Sequence, residues 1–399
     1  MIKFVIFGWI VVIIFLFIYS FTQIDLGLTL TRLSFWQAIQ TSFQQIGYFN
    51  RLLSTALFLL IIFILYVLYF LILNQAKKGN LTQKTVRRLI IFTAVLLWFS
   101  YNAFSYDLFN YIMDAKMVTF YGKNPYTHKA LDFPGDPMLG FMHWTHRYYP
   151  YGPFWLLVTI PLSFLGFQKL LPTMILIKGL GVFGYLLCCW AIERVLKGIV
   201  PKRRILGLTI FAFNPLVIIE GLVSAHNDML MMGLLMTSLY FILNKKYISA
   251  WIFFIFSVGI KFVTGFLLPV FIFLTISQIK KLRYSWSKIW LISLIIMSLT
   301  IFLAAKRTEL QPWYLLYFLP FMALYIESRE VFLLANSFCF GMLLHYAPFL
   351  YFGNWNSPVP QIKFFLKLFS LGIGVIFILL AKYKSRPILT LPFLKKPNS

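Results

Sequence analysis

Charge is what this chain has least of: Asp and Glu together number 11 in 399 residues, and charged residues of all kinds make up 12%. Soluble domains carry about twice that share. Cysteine is nearly missing as well. Cys188, Cys189 and Cys339 all fall inside apolar runs, where they act as small hydrophobes, so no disulfide framework and no redox compartment can be read from them. No internal repeat, low-complexity tract or polar stretch long enough for a soluble domain is found. What is abundant is apolar: 60% hydrophobic and 20% aromatic residues, with a mean hydropathy of +0.82. Ordinary soluble enzymes, disordered chains and nucleic-acid modules are excluded together, because no water-soluble fold hides so many apolar runs of near-spanning length. The excess of Lys and Arg, 36 against 11 acids, is therefore expected to mark mainly loops on the cytoplasmic side of a membrane rather than a nucleic-acid surface.

Twelve runs have spanning character: residues 4–21, 52–73, 89–104, 172–192, 205–222, 229–243, 247–260, 262–279, 286–304, 313–325, 331–348 and 364–380. The first follows a single Lys3 and precedes no small-residue cleavage pattern, so it reads as a retained helix. A thirteenth run, 154–167, is broken by Pro161 and Gly166 and has a re-entrant or interfacial length. If it does not span, the basic clusters at 77–88, 194–204, 245–246, 280–288, Arg329 and 382–396 share one side with Lys3. That side then holds 23 of the 36 Lys and Arg. The positive-inside rule favours this parity, which puts both termini in the cytoplasm and the long loop 106–171 outside.

That outer loop holds four of the six Asp and three of the five His. The stretch from Asp107 to Val118 reads as an amphipathic helix lying flat at the interface, with Asp107 and Asp114 seven residues apart on one face and Leu, Phe and Ile toward lipid. Asp107 suits either a helix cap or a proton acceptor, its pKa raised by an aromatic, partly dehydrated site. Asp114 is the reserve candidate, and Asp132 and Asp136, beside prolines, read as turn residues. A second polar constellation runs from Asn214-Pro215 through Glu220 to His226-Asn227-Asp228. Asp228 as an N-cap explains part of it, but an acid buried on an apolar helix, Glu220, is a functional candidate by default. His226 suits a phosphate or a sugar hydroxyl. Lys261 interrupts a continuous apolar stretch, and Arg147, Lys306 and Arg307 lie on the same outer side, where a bound anion accounts for cations that the positive-inside rule does not. No His/Cys spacing resembles a zinc site; a divalent metal is left open with no motif to support it.

In their order along the chain these pieces resemble the polyprenyl-phosphate-sugar-dependent GT-C glycosyltransferases, and among them the bacterial membrane mannosyltransferases. The residues that carry the resemblance are Ser105-Tyr-Asp107, Gly122-Lys-Asn-Pro-Tyr126, Tyr149-Pro-Tyr-Gly-Pro153, Phe213-Asn-Pro to Glu220, Ser224-Ala-His-Asn-Asp228, Gly259-Ile-Lys261, Leu268-Pro269, Gln311-Pro-Trp-Tyr314 and Leu319-Pro320. The resemblance implies an all-α GT-C bundle of about twelve transmembrane helices, forming one domain over 1–399. It also implies an inverting transfer of a hexose, mannose, from a polyprenyl-phosphate donor to a lipid or glycan acceptor on the extracytoplasmic face. Asp107 would be the catalytic base. Lys261, His226, Arg147 and Arg307 would face the donor phosphate or sugar, and Asn124, Tyr126, Tyr151, Glu220, Asn227, Asp228 and Trp313 would line the substrates. The paired acidic motif of related families is missing, since Asp107 has no acidic neighbour. A transporter or lipid flippase, and a polysaccharide polymerase or ligase, are the competing classes; transporters are disfavoured by the lack of matching halves.

Overall fold

The computed structural model describes residues 2–307 and 309–383, with the side chains of residues 307 and 381–383 outside the description. Among the described residues every regular element is helical, and one isolated bridge joins Lys129 to Tyr148. The α-helices in chain order are α1 (Ile2–Ser20), α2 (Ser34–Gln44), α3 (Arg51–Lys77), α4 (Gln83–Trp98), α5 (Asp107–Thr119), α6 (Pro153–Leu165), α7 (Leu170–Ile199) and α8 (Arg204–Ala212). They continue with α9 (Asp228–Leu243), α10 (Tyr247–Ile260), α11 (Leu268–Ile279), α12 (Trp286–Arg307), α13 (Leu319–Leu324), α14 (Arg329–Leu344), α15 (Ala347–Phe352) and α16 (Val359–Tyr383). Their starts follow local chemistry. Asn50 accepts the Leu53 N–H at 3.2 Å, Thr82 the Thr85 N–H at 3.2 Å and Ser328 the Val331 N–H at 3.2 Å, while Pro153 opens α6 behind Gly152.

Seven helices are long and apolar enough to cross a bilayer, at Ile2–Gln23, Arg51–Lys77, Leu170–Ile199, Phe262–Ile279, Trp286–Lys306, Arg329–Phe352 and Val359–Leu380. Taken together, the bent pair Pro201–Ala212 and Val217–Val223, at 63°, makes an eighth candidate span. The chain is a polytopic membrane protein. Four of the twelve expected runs form shorter helices: α4 with 16 residues, α9 with 16, α10 with 14, and the stretch Pro312–Leu324. The 154–167 run becomes α6, of 13 residues.

One expectation is overturned. α5 does not lie on lipid: Leu108, Phe109, Tyr111, Ile112, Met113 and Asp114 are all buried, because α6 and α7 pack over the helix. Its apolar residues face protein. α7 in turn packs along α9, and α9 along α10. A Cβ on Gly233 would sit 2.5 Å from the Gly184 carbonyl oxygen, so glycine sets the closest approach of α7 and α9.

Candidate functional site

The site forms where six chain segments meet, around Asp107, Tyr151, residues 220–228, Lys261, Trp313 and Tyr346. The bent helix pair supplies its centre. Pro215, lacking an N–H, interrupts the helix after Asn214, and the chain resumes as the wide π-helical turn Val217–Val223 that carries Glu220. The turn ends with Ser224 N–H bonded to the Ile219 carbonyl at 2.8 Å and His226 N–H to the Glu220 carbonyl at 3.1 Å. Ala225 between them is left-handed, with φ of 50°, a conformation that costs an L-residue about 1–2 kcal/mol. This backbone folds the His226 side chain back over Glu220.

The His226 ring bridges two carboxylates. Its Nδ1 lies 3.5 Å from Oδ2 of Asp107 and its Nε2 3.3 Å from Oε2 of Glu220. Glu220 Oε1 accepts a hydrogen bond from the Tyr346 hydroxyl at 2.9 Å. Trp313 lies flat against the imidazole, with centroids 4.2 Å apart and planes at 20°. His226 and Glu220 are wholly buried, whereas the Asp107 side chain keeps 14% of its surface exposed. Asp107 is the open end of the array.

Electrostatics follow from this geometry. Burial lowers the His226 pKa, but the two carboxylates outweigh it and raise it from 6.5 to about 9, so the ring is cationic at neutral pH. Burial pushes the Asp107 carboxyl up, yet His226, with Lys261 and Arg147 farther off, holds it below the ordinary carboxylate value. The expectation of a raised Asp107 is therefore corrected: three cations outweigh dehydration. Asp114 is the opposite case. It is buried, Oδ2 has no hydrogen-bond partner among the described residues, and burial plus the Asp107 charge push its pKa well up.

A second ion pair adjoins the first. Lys261 Nζ is 2.8 Å from Oδ1 of the buried Asp228, with the Tyr151 and Tyr317 rings 5.6 Å and 5.9 Å from the ammonium. Asp228 thus spends its carboxylate on Lys261 and not on capping α9, which has no side-chain cap. Lys261 sits in an extended break after α10 that the 106–171 loop pins from the other side. Gly152 N–H bonds the Ile260 carbonyl at 2.9 Å, and a Cβ on Gly152 would lie 2.2 Å from the Gly259 carbonyl oxygen. Only glycine lets the Tyr149–Pro153 motif press this close to Gly259-Ile-Lys261. The Tyr111 hydroxyl accepts from the Asn227 N–H at 3.5 Å, and its ring packs edge-on against Tyr151 and Trp155. Beneath, the buried Lys178 donates to Ser100 Oγ at 3.0 Å and the Val223 carbonyl at 2.9 Å, tying the chain before Asp107 to the turn that carries Glu220.

Sequence reasoning therefore names Asp107, Glu220, His226, Asn227, Asp228, Lys261, Tyr151 and Trp313 within one cluster. Asn124 and Tyr126 stand one step outside it: Asn124 Oδ1 accepts the Tyr126 N–H at 3.0 Å, and the Tyr126 hydroxyl donates to the Tyr151 carbonyl at 3.1 Å. They hold a turn. Arg147 lies on the Trp144 ring, 3.9 Å from its centroid. Lys306 lies 5.0 Å from the Phe302 ring, and Arg307 ends α12 with its side chain outside the described residues. Asp136 behaves as a turn residue, accepting the Met138 N–H at 2.9 Å, and also binds Lys116 at 2.5 Å. Asp132 accepts the Lys129 N–H at 3.0 Å. Tyr111, Lys178, Tyr317 and Tyr346 were missed. Among the described residues no three His, Cys, Asp or Glu are placed to hold a metal ion.

A family model described as alpha-(1->6)-mannopyranosyltransferase, N-terminal domain, matches residues 14–277. Alpha-(1->6)-mannopyranosyltransferase A of Corynebacterium glutamicum is 28% identical over 185 residues, which is 46% of this chain and 37% of that protein. The protein of the same name from Mycobacterium tuberculosis is 23% identical over 212 residues, 53% of this chain and 40% of that protein. The matched stretches thus span well under half the length of these relatives. No solved structure gives a significant match.

Proposed function

Because the chain belongs to the alpha-(1->6)-mannopyranosyltransferase family, we propose that it moves a hexose, mannose, from a polyprenyl-phosphate donor to a lipid or glycan acceptor at the extracytoplasmic face, inverting the anomeric carbon. The observation that carries this reading is the partly exposed Asp107 carboxylate held against a buried, charged His226 and beside the Lys261–Asp228 pair. The acceptor hydroxyl oxygen attacks the anomeric carbon from the side opposite the phosphate. Its proton goes to Asp107, and the carbon–oxygen bond to phosphate breaks with the electron pair leaving on the phosphate. A phosphate departs without protonation, so one base suffices, unlike the carboxyl pair of glycosidases.

The other residues divide the remaining work. His226, held by Glu220, itself bonded to Tyr346, and by the Trp313 ring, keeps Asp107 ionised and fixes its direction. Lys261, with its position set by Asp228, retains ammonium N–H groups for the leaving phosphate, where negative charge builds up. The linkage expected is α-(1→6), by the names of the relatives.

Purified protein given labelled mannosyl-phosphopolyprenol and a mannoside acceptor should release polyprenyl phosphate and form one new glycosidic bond. Passage of the intact lipid across vesicles without chemistry, or joining of pre-built glycans, would instead assign the chain to the flippase or polymerase class. The outer placement of the site is tested by single cysteines. An impermeant reagent should label Asn124→Cys and miss Lys202→Cys in intact cells, and the reverse pattern overturns the topology.

A further inference from the structure

His226, Glu220 and Asp228 have no exposed surface, so an acceptor can approach only from the open side of Asp107. A single loop, residues 143–147, is fastened to the chain on both sides of that residue. Tyr106, directly before Asp107, is stacked on His143 with centroids 3.5 Å apart and planes at 11°, and its hydroxyl donates to Asp25 Oδ2 at 3.1 Å. Asn110, one helical turn after Asp107, donates through Nδ2 to the Trp144 carbonyl at 3.3 Å. Its Oδ1 is shut off from solvent yet has no hydrogen-bond partner among the described residues. Trp144 keeps 37% of its surface exposed, and the Arg147 guanidinium lies 3.9 Å from the ring centroid. Arg147 is also one of the charges that hold the Asp107 carboxyl low.

This grouping has a definite chemical meaning. An indole face offers an electron-rich surface to the C–H bonds of a pyranose ring, while a planar amide and a guanidinium fork bridge neighbouring hydroxyls. A bare phosphate has no use for the ring. We propose that the 143–147 loop together with Asn110 is the acceptor subsite, taking the terminal pyranose of a glycan on the Trp144 ring and presenting its hydroxyl to Asp107. The subsite rests on the glycosyltransferase reading, and it moves Arg147 from the donor phosphate to the acceptor. Lys261 and Arg147 then flank Asp107 as one cation for each substrate.

The test uses full-length protein in detergent and an octyl α-(1→6)-dimannoside as the probe. Saturation-transfer NMR without donor reads its binding, and steady-state transfer from mannosyl-phosphopolyprenol reads both KM values. Trp144→Ala should raise the probe's Kd and the acceptor KM about tenfold or more, well beyond any change in donor KM. Trp144→Phe should recover most of that loss, and Asn110→Ala should raise acceptor KM several-fold. Unchanged probe binding in Trp144→Ala, or an equal rise in both KM values, overturns the subsite. If wild-type protein transfers no sugar at all, the enzymatic reading fails, while donor-free binding still decides the subsite.

Discussion

Neutralising Glu220 probes the array most directly, because Glu220 touches neither the proton in flight nor the solvent. In Glu220→Gln the shape is kept, and the new amide oxygen can still accept from Tyr346, but the charge 3.3 Å from His226 Nε2 is gone. A unit-charge contact at that distance is worth about 5 kcal/mol before desolvation, at an effective dielectric near 20. The net rise of His226 from 6.5 to about 9 corresponds to roughly 3 kcal/mol. Removing one carboxylate therefore outweighs the whole net shift, and burial should return the ring to or below its ordinary value.

In wild type the folded pKa is raised, so the stabilisation from charged His226 is full below pH 6.5 and is lost as pH rises through about 9. Turnover should show an alkaline limb over the same window. The variant should titrate His226 at or below pH 6.5, lose the alkaline loss of stability, and turn over roughly 10- to 100-fold more slowly at pH 7.5. Histidine-selective NMR gives the midpoint, and a pH–rate profile gives the limb. A His226 midpoint still near 9 in the variant, with the alkaline limb unmoved, would refute the bridging role.

Asp107→Asn keeps size and helix start but accepts no proton; the rate should fall on the order of 10² to 10⁴ with donor binding nearly intact, and turnover within a few-fold of wild type moves the base elsewhere. Lys261→Ala should raise donor KM and lower kcat, and it also strands the buried Asp228, so thermal stability should drop by about 3–5 kcal/mol. Equal donor affinity and turnover in that variant remove Lys261 from the phosphate. Gly152→Ala forces a Cβ toward the Gly259 oxygen at 2.2 Å and should cost about 1–3 kcal/mol; a normal melting temperature would show that the Tyr149–Pro153 segment docks differently.

What was legible in the sequence was polar chemistry out of place. Glu220 and Lys261 stood out because acids and cations inside apolar runs need a partner, and His226 and Asp228 lay next to one of them. Tyr346 carried no such signal. It is an aromatic residue at the end of an aromatic-rich span, and its bond to Glu220 crosses 126 residues of sequence. Lys178 sits in a run interrupted by no other charge, yet its partners, a serine hydroxyl and a backbone carbonyl, are invisible to pattern. The sign of the Asp107 shift was misread for a related reason: hydropathy registers dehydration locally, whereas the opposing charges arrive from three distant segments. α5 was misplaced because its period fits a lipid surface and a protein surface equally well.

The shortness of three helices carries a consequence for the surrounding membrane. α4 and α9, with 16 residues each, cover about 24 Å, and α10, with 14, about 21 Å, against hydrocarbon ~30 Å thick. Two of them end at the candidate site: α9 begins with Asp228 and α10 stops one residue before Lys261. A helix shorter than the hydrocarbon is met by local thinning of the bilayer or by water entering above its end, and on the proposed reading that adjustment would fall at the ends that carry Asp228 and Lys261. The lipid-borne donor proposed above would then not need to be lifted clear of the bilayer, because the headgroup plane would sink to meet the carboxylate.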